Sequence, residues 1–278
     1  TPVEPSVPEE TADPVSTEPE ADSVVQLTAV GDIMIYDDIL AGAQKSEGVY
    51  DFSDCFSAVA AYTMAADLTV GNLELNFCGA PYAGKPDFRA PEALAGTLRD
   101  IGFDVLQTAN TYSIQNGMTG LSGTISALDA VGIDHVGTYA TQAERDASGG
   151  VLVKTVNGVR IAFIAFTKGV NNLTLPEGSE FAVDLLYTDY DSDYSKVAED
   201  AIVQTVENAV ATDADIVIAM LHWGSEYDNT LTDTQKKIES LLLENGVDVI
   251  LGSHSHIVGN LVEKTVERGK DEASCFVA

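Results

Sequence analysis

Only four histidines occur in 278 residues, and two of them, His254 and His256, stand one residue apart in "VILGSHSHIVG". An apolar run leading straight into such a pair is either a polar loop after a strand or one wall of a metal site. The pair gains meaning only if other donor residues occupy equivalent places, and they do. The residues just past five apolar runs are Asp32, then Asn72 with Glu74, then Asn110, then His222 with Glu226, then His254 with His256. In open α/β sheets, ligands collect outside the carboxyl ends of the strands. A sixth run, "VRIAFIAF", ends instead in Thr167 and Lys168.

Carboxylate, amide oxygen and imidazole together suit borderline divalent ions such as Zn, Mn or Fe. The number of donors exceeds what one ion needs and points to two ions sharing a bridging carboxylate. Such a pair, about 3.5–4 Å apart, clamps a phosphoryl or carbonyl oxygen and generates a hydroxide nucleophile. Each residue also has an ordinary role. Asp32 could cap a helix, Asn72 and Asn110 could brace turns, and His222 and Trp223 could be core-edge packing. Glu226 suits a supporting or surface acid better than a direct ligand. His135, in "GIDHVG", is assigned to structure. Taken jointly, a metal site is the better account.

The elements that must position these residues alternate. Short runs such as "LTAVGD", "ADLTVGNLE", "FDVLQTAN", "VRIAFIAFT", "ADIVIAMLHWG" and "VDVILGSHSH" read as strands covered on both faces. Between them, helices are expected over about 52–66, 91–101, 118–131, 195–211 and 232–246. The last of these has a Thr/Asp start and a Gly stop in "TDTQKKIESLLLENG". Alternation of this kind implies a layered α/β fold. "EASCFVA" reads as a further core strand, and the chain is expected to continue beyond it in the natural protein.

The balance of 44 acidic against 14 basic residues, net −30, argues against nucleic acid or an anionic lipid surface as partner. An acidic polymer could bind only at a local cationic site, such as bound metal or a small basic cluster. Residues 1–25, acidic, Pro-rich and without Lys, Arg or aromatics, read as a disordered linker. Spacers of this composition separate membrane anchors from exported domains, so an extracellular domain tethered by an upstream signal or lipid anchor is expected. Cys55, Cys78 and Cys275 show no metal-type spacing and read as buried free thiols, with a Cys55–Cys78 bridge as the alternative for an exported protein.

The stretches "LTAVGDIMI", "ADLTVGNLEL", "FRAPEALAGTLRDIGFDVLQTAN", "ADIVIAMLHWGSEY" and "GVDVILGSHSHIV" resemble, in order, the CapA-type capsule and poly-gamma-glutamate biosynthesis family. The resemblance implies a calcineurin-like metallophosphoesterase fold, a four-layer α/β/β/α sandwich over residues 26–278, with a strand and a Ser-Leu-Gly-Asn-Phe loop to follow. It implies metal-site roles for Asp32, Asn72 or Glu74, Asn110, His222, His254 and His256. It further implies an envelope protein acting on poly-gamma-glutamate or another anionic polymer alongside membrane capsule-synthesis proteins. Alternatives are a non-catalytic polymer-binding accessory with a degenerate metal site, and a phosphoesterase for a small substrate. Two features bear on catalysis. Met34 stands where ordinary metallophosphoesterases carry a histidine, as in this family. Where the family reads Ala-Asn-Asn-His and then Asp, this chain reads "ANTYSIQ", with Tyr112 and Gln115 in the histidine and aspartate places. Tyrosine, with a reference pKa of about 10, is a weaker proton donor near neutrality than imidazole. Tyr112 or His222 would then assist the leaving group in hydrolysis or transfer at a phosphoester or amide bond.

Overall fold

A computed structural model describes residues 23–269 and 271–278. All but the last three residues of the expected acidic linker lie outside the described residues. The amino-terminal half comprises β1 (Leu27–Ile33), α1 (Asp37–Ala43), a small hairpin of β2 (Gln44–Ser46) and β3 (Val49–Tyr50), and the one-turn helices α2 (Ser53–Phe56) and α3 (Ala60–Thr63). It continues through β4 (Leu68–Leu73), α4 (Ala93–Asp100), β5 (Val105–Gln107), α5 (Gly117–Val131) and β6 (Asp134–Val136). The carboxyl-terminal half contains α6 (Gln142–Ser148), β7 (Leu152–Val156), β8 (Val159–Thr167), α7 (Glu199–Val210) and β9 (Ile216–His222). It ends with α8 (Asp233–Asn245), β10 (Val249–Ser253), β11 (Val262–Arg268) and β12 (Asp271–Val277).

Two sheets result. One is four-stranded and parallel, in the order β1-β4-β5-β6. The other has six strands in the order β11-β12-β10-β9-β8-β7, with a parallel centre and antiparallel pairing at β7 and β11. The period of two along each strand divides its side chains between separate cores. From β9, Val217, Ala219 and Leu221 pack with Ile202, Val206, Ile238 and Leu242 of α7 and α8. Ile218 and Met220 face the other way and meet Leu68, Val70, Val105 and Val136 of the four-stranded sheet. That sheet's outer side, including Leu73 and Leu106, packs on Leu94 and Leu98 of α4 and Leu128 of α5. Helices, sheet, sheet, helices: this is the four-layer α/β/β/α sandwich expected from the sequence, and it explains why the strands are apolar on both faces.

Local signals fix several element ends. Thr232 and Gln235 form a reciprocal capping box at the start of α8, and α5 stops at Gly132, whose φ of 73° suits a left-handed cap. The single helix expected over 52–66 is instead two separate turns, α2 and α3. The Ser57 hydroxyl donates to the Asp54 carbonyl, a local bond that competes with continuation of the helix ladder. The expected carboxyl-terminal strand is present as β12, inserted between β11 and β10. All three cysteines are free; Cys275 is buried as anticipated, whereas Cys78 is half-buried and Cys55 exposed.

Candidate metal centre

The same alternation that builds the inter-sheet core carries polar residues to its rim. Along β4, Leu68 and Val70 enter the core, and Asn72 and then Glu74 continue on that side. Along β9, Ile218 and Met220 are followed by His222; along β10, Leu251 is followed by Ser253. Asp32 breaks the parity. Leu27 of β1 faces the inter-sheet core while Val30 packs on the helix side, so strict alternation would send Asp32 to the helix side as well. The register with β4 shifts between Val30, opposite Gly71, and Asp32, opposite Asn72. Gly31 is thus the extra residue of a β-bulge, which turns Asp32 to the rim and Ile33 to the helices.

Around fully buried His222 the donors close in. Its Nδ1 lies 3.0 Å from Ser253 Oγ, 3.2 Å from Asn72 Nδ2 and 3.7 Å from Asp32 Oδ1. Its Nε2 lies 2.9 Å from Thr111 Oγ1 and 3.3 Å from Glu74 Oε1. Asn72 Nδ2 donates to Asp32 Oδ1 at 2.7 Å, and the His254 backbone N–H donates to Asp32 Oδ2 at 3.1 Å. Buried Asn110 donates through Nδ2 to Asn72 Oδ1 and to the Leu73 carbonyl, and its Oδ1 accepts the Tyr112 N–H. The ring of His254 sits edge-on to His222, with centroids 4.6 Å apart.

The two closely spaced histidines part company. His254 and His256 have φ values of 90° and 57°, a left-handed backbone that is costly for non-glycine residues and concentrates at functional sites. The chain therefore turns after β10 instead of staying extended. His254 is buried against His222, while His256 is exposed and rests near Tyr227, its Nδ1 3.4 Å from the phenol oxygen. Burial, reinforced by the charges of His222, Lys168 and His256, pushes the His254 pKa down to about 3. A neutral imidazole is the form that ligates metal.

Asp32, Asn72, Glu74, Asn110, His222 and His254 are thus brought together. His256 and Glu226 stand at the exposed rim, and Trp223 packs into the core beneath α7 and α8. Tyr112 lies beside the cluster with its ring 4.4 Å from that of Phe88; burial first, then Glu74, Tyr36 and Glu226, raises its pKa. Gln115 accepts a hydrogen bond from Asn171 at 2.9 Å. His135 is on β6, away from the cluster. Three neighbours went unassigned in the sequence: Thr111 and Ser253, which flank the His222 ring, and Lys168, which shares a cleft with His254. Strand parity on β10 marks Ser253 and the strand-end position marks Lys168; a threonine hydroxyl carries no such signal.

Two buried atoms test the fit of a cation. Glu74 Oε2 and His254 Nδ1 have no hydrogen-bond partner, although buried polar atoms almost always do. One donor atom each from Glu74, His222 and His254 lies within 4.8 Å of the others, the one such grouping among the described residues. Carboxylate and imidazole nitrogens are borderline-metal ligands. The donor set fits a divalent ion.

The class is therefore an α/β/β/α sandwich with a cluster of potential metal ligands where the strands of both sheets end. Within it, the chain belongs to the bacterial capsule synthesis protein PGA_cap family, whose sequence profile matches residues 26–268. It is 27% identical over 246 residues to the capsule biosynthesis protein CapA of Bacillus anthracis, covering 84% of this chain and 54% of that protein. It is 26% identical over 244 residues to the PGA biosynthesis protein CapA of Bacillus subtilis (strain 168), covering 86% of this chain and 59% of that one. The chain thus spans little more than half the length of these relatives. Among solved structures, a 5'-nucleotidase precursor from Thermus thermophilus aligns with a TM-score of 0.43 and 13% identity, over 76% of this chain and 39% of that one. Among the described residues no helix is long and apolar enough to cross a membrane.

Proposed function

We propose that this chain acts at the cell envelope on poly-gamma-glutamate or a similar anionic capsule polymer, through a divalent-metal centre, during its synthesis, export or attachment. The carrying observation is the pair of unpartnered buried donors, Glu74 Oε2 and His254 Nδ1, beside His222. Family membership and the names of the two Bacillus relatives support the polymer. Glu74, His222 and His254 would hold a first ion, with Asp32, Asn72, Asn110 and His256 available to a second. A bound ion supplies Lewis-acid polarisation of a carbonyl or phosphoryl oxygen. The protein's own part is positional: Thr111 and Ser253 fix the His222 ring, Asp32 ties the turn at His254 to the four-stranded sheet, and Asn110 locks Asn72. The reaction is hydrolysis or transfer at an amide or phosphoester bond.

A second reading, a polymer-binding accessory with little turnover, draws on Tyr112. Its phenol is a weak acid made weaker by burial, and its ring is packed on Phe88. Elemental analysis after reloading with Mn or Zn, paired with hydrolysis assays on gamma-linked oligoglutamate and on phosphodiesters, tests both. We expect stoichiometric metal in the wild type, lost in Glu74→Gln and His254→Ala. Full metal retention by both variants would remove the centre as drawn. Metal without turnover on either substrate class would favour the accessory.

A further inference from the structure

The net charge of −30 creates a general problem for any protein handling a polyanion: the surface repels its ligand, so attraction must be local. A bound metal ion would supply part of that attraction. One lysine sits where it can supply the rest.

Lys168 is the first residue past β8, and its backbone N–H donates to the carbonyl of His222 on the neighbouring strand at 2.9 Å. Its ammonium is held by the Gly224 carbonyl at 2.8 Å and lies 5.4 Å from the centroid of the Tyr194 ring. It forms no salt bridge among the described residues. An ammonium has three protons to donate, and one carbonyl leaves two for a ligand. The side chain is half-buried, so this charge is incompletely solvated.

The ammonium opens into a cleft of about 400 Å³ that it shares with Thr111, Asn172, Tyr194, Glu226 and His254. His254, one of the three grouped donors, and the lysine therefore line the same space. The far wall is braced: Asn171 and Asn172 both adopt positive φ, Tyr194 donates to Asn172 Oδ1 at 3.1 Å, and Gln115 holds the Asn171 amide. Gln115 thereby acquires a role. Next to an anion-binding cleft a neutral amide braces the wall without the repulsion that a carboxylate would add. Glu226, exposed at the rim, is the one acid lining the cleft and opposes deep entry of more than one negative charge.

We infer that Lys168 is a specificity-determining residue whose ammonium receives the free carboxylate flanking the amide bond of a gamma-linked glutamyl chain, placing that bond at the metal cluster. The inference rests on the proposed function. Gamma linkage leaves one unreacted carboxylate beside every backbone amide, and a single cation beside a metal centre matches that spacing of one charge per bond.

The test uses the full chain loaded with Mn, with metal content measured in every sample. Isothermal titration with gamma-linked triglutamate compares the wild type, Lys168→Met and Lys168→Arg; inorganic phosphate and a triglutamate with its free α-carboxylates amidated serve as further probes. We expect Lys168→Met to weaken triglutamate binding roughly 10- to 100-fold, the range for loss of a charge-assisted hydrogen bond. Lys168→Arg should recover part of this, the amidated peptide should bind weakly and equally to all three proteins, and metal content should not change. Equal triglutamate affinity in wild type and Lys168→Met overturns the inference, as does wild type that holds metal but binds no triglutamate. A loss confined to phosphate binding overturns it too, by making the lysine a phosphoryl receptor. Wild type that takes up no metal overturns the proposed function, and this inference with it.

Discussion

Replacing Asp32 should cost the protein its metal site, whereas deleting the bulge residue Gly31 should not. Val30 and Asp32 already stand opposite consecutive residues of β4, Gly71 and Asn72, so removing Gly31 joins them in regular alternation, with Val30 toward the helices and Asp32 still at the rim. In Asp32→Ala the carboxylate that accepts two hydrogen bonds, from Asn72 at 2.7 Å and from the His254 N–H at 3.1 Å, is gone. Bonds to a charged group are worth about 1.5–3 kcal/mol each, so about 3–6 kcal/mol is at stake. That compares with a total stability of about 5–15 kcal/mol for a folded domain. The deletion variant keeps both bonds and keeps Leu27 in the inter-sheet core, so it should retain most of its stability and its metal. Gly31→Ala is the control: an added Cβ meets nothing within 4 Å and the backbone is not left-handed, so the change should stay within about 0.5 kcal/mol. Chemical denaturation of metal-free protein, followed by Mn titration, measures both effects. A deletion variant that unfolds as early as Asp32→Ala and has lost its metal would refute the placement of the extra residue at Gly31.

Asn110→Ala removes a side chain that serves Asn72, the Leu73 carbonyl and the Tyr112 N–H in a fully buried place. It should destabilise by about 2–5 kcal/mol in urea unfolding, more than expected for loss of an exposed amide. In metal-free protein His254, with a pKa of about 3 folded against 6.5 unfolded, is protonated first in the unfolded chain. Its contribution is complete above pH 6.5 and declines as pH falls from there toward 3, by up to about 1.4 kcal/mol per unit. Asp184, raised to about 6 by burial, acts oppositely between its unfolded value of 3.8 and 6. The comparison to make is therefore wild type against His254→Gln, whose stability should gain on that of wild type as pH falls below 6.5; parallel profiles would contradict the assignment. Tyr112→His should raise turnover on a substrate with a poor leaving group modestly, and more when Gln115→Asp is added, towards the roughly 10²–10⁴-fold worth of general acid–base assistance. Strong wild-type turnover abolished by Tyr112→Phe would instead make the phenol the working acid.

Where the sequence spoke clearly, strand and ligand were the same signal: an apolar run that stops at a donor, as at Met220-Leu221-His222 or Gly252-Ser253-His254. Burial on both faces forces such runs to be continuous, so their ends stand out. What stayed hidden depends on tertiary detail. Half-exposed edge strands such as β7 and β11 carry weak patterns, because one side meets solvent. The bulge at Gly31 is invisible until the partner strand fixes the register. His254 and His256 look equivalent in the sequence, and only the folded turn buries one against His222 and leaves the other exposed beside Tyr227. Thr111 and Ser253 are hydroxyls of a kind found in any loop, and proximity to His222 alone distinguishes them.

The cluster draws Asp32, Asn72 and Glu74 from one sheet and His222, Ser253 and His254 from the other. An ion held by Glu74, His222 and His254 would rivet the two halves of the sandwich across their seam, and could leave freely only when the seam parts. Its residence time would then act as a clock for how often the sheets separate. A chelator chase would read the breathing of the whole sandwich from the escape of a single atom.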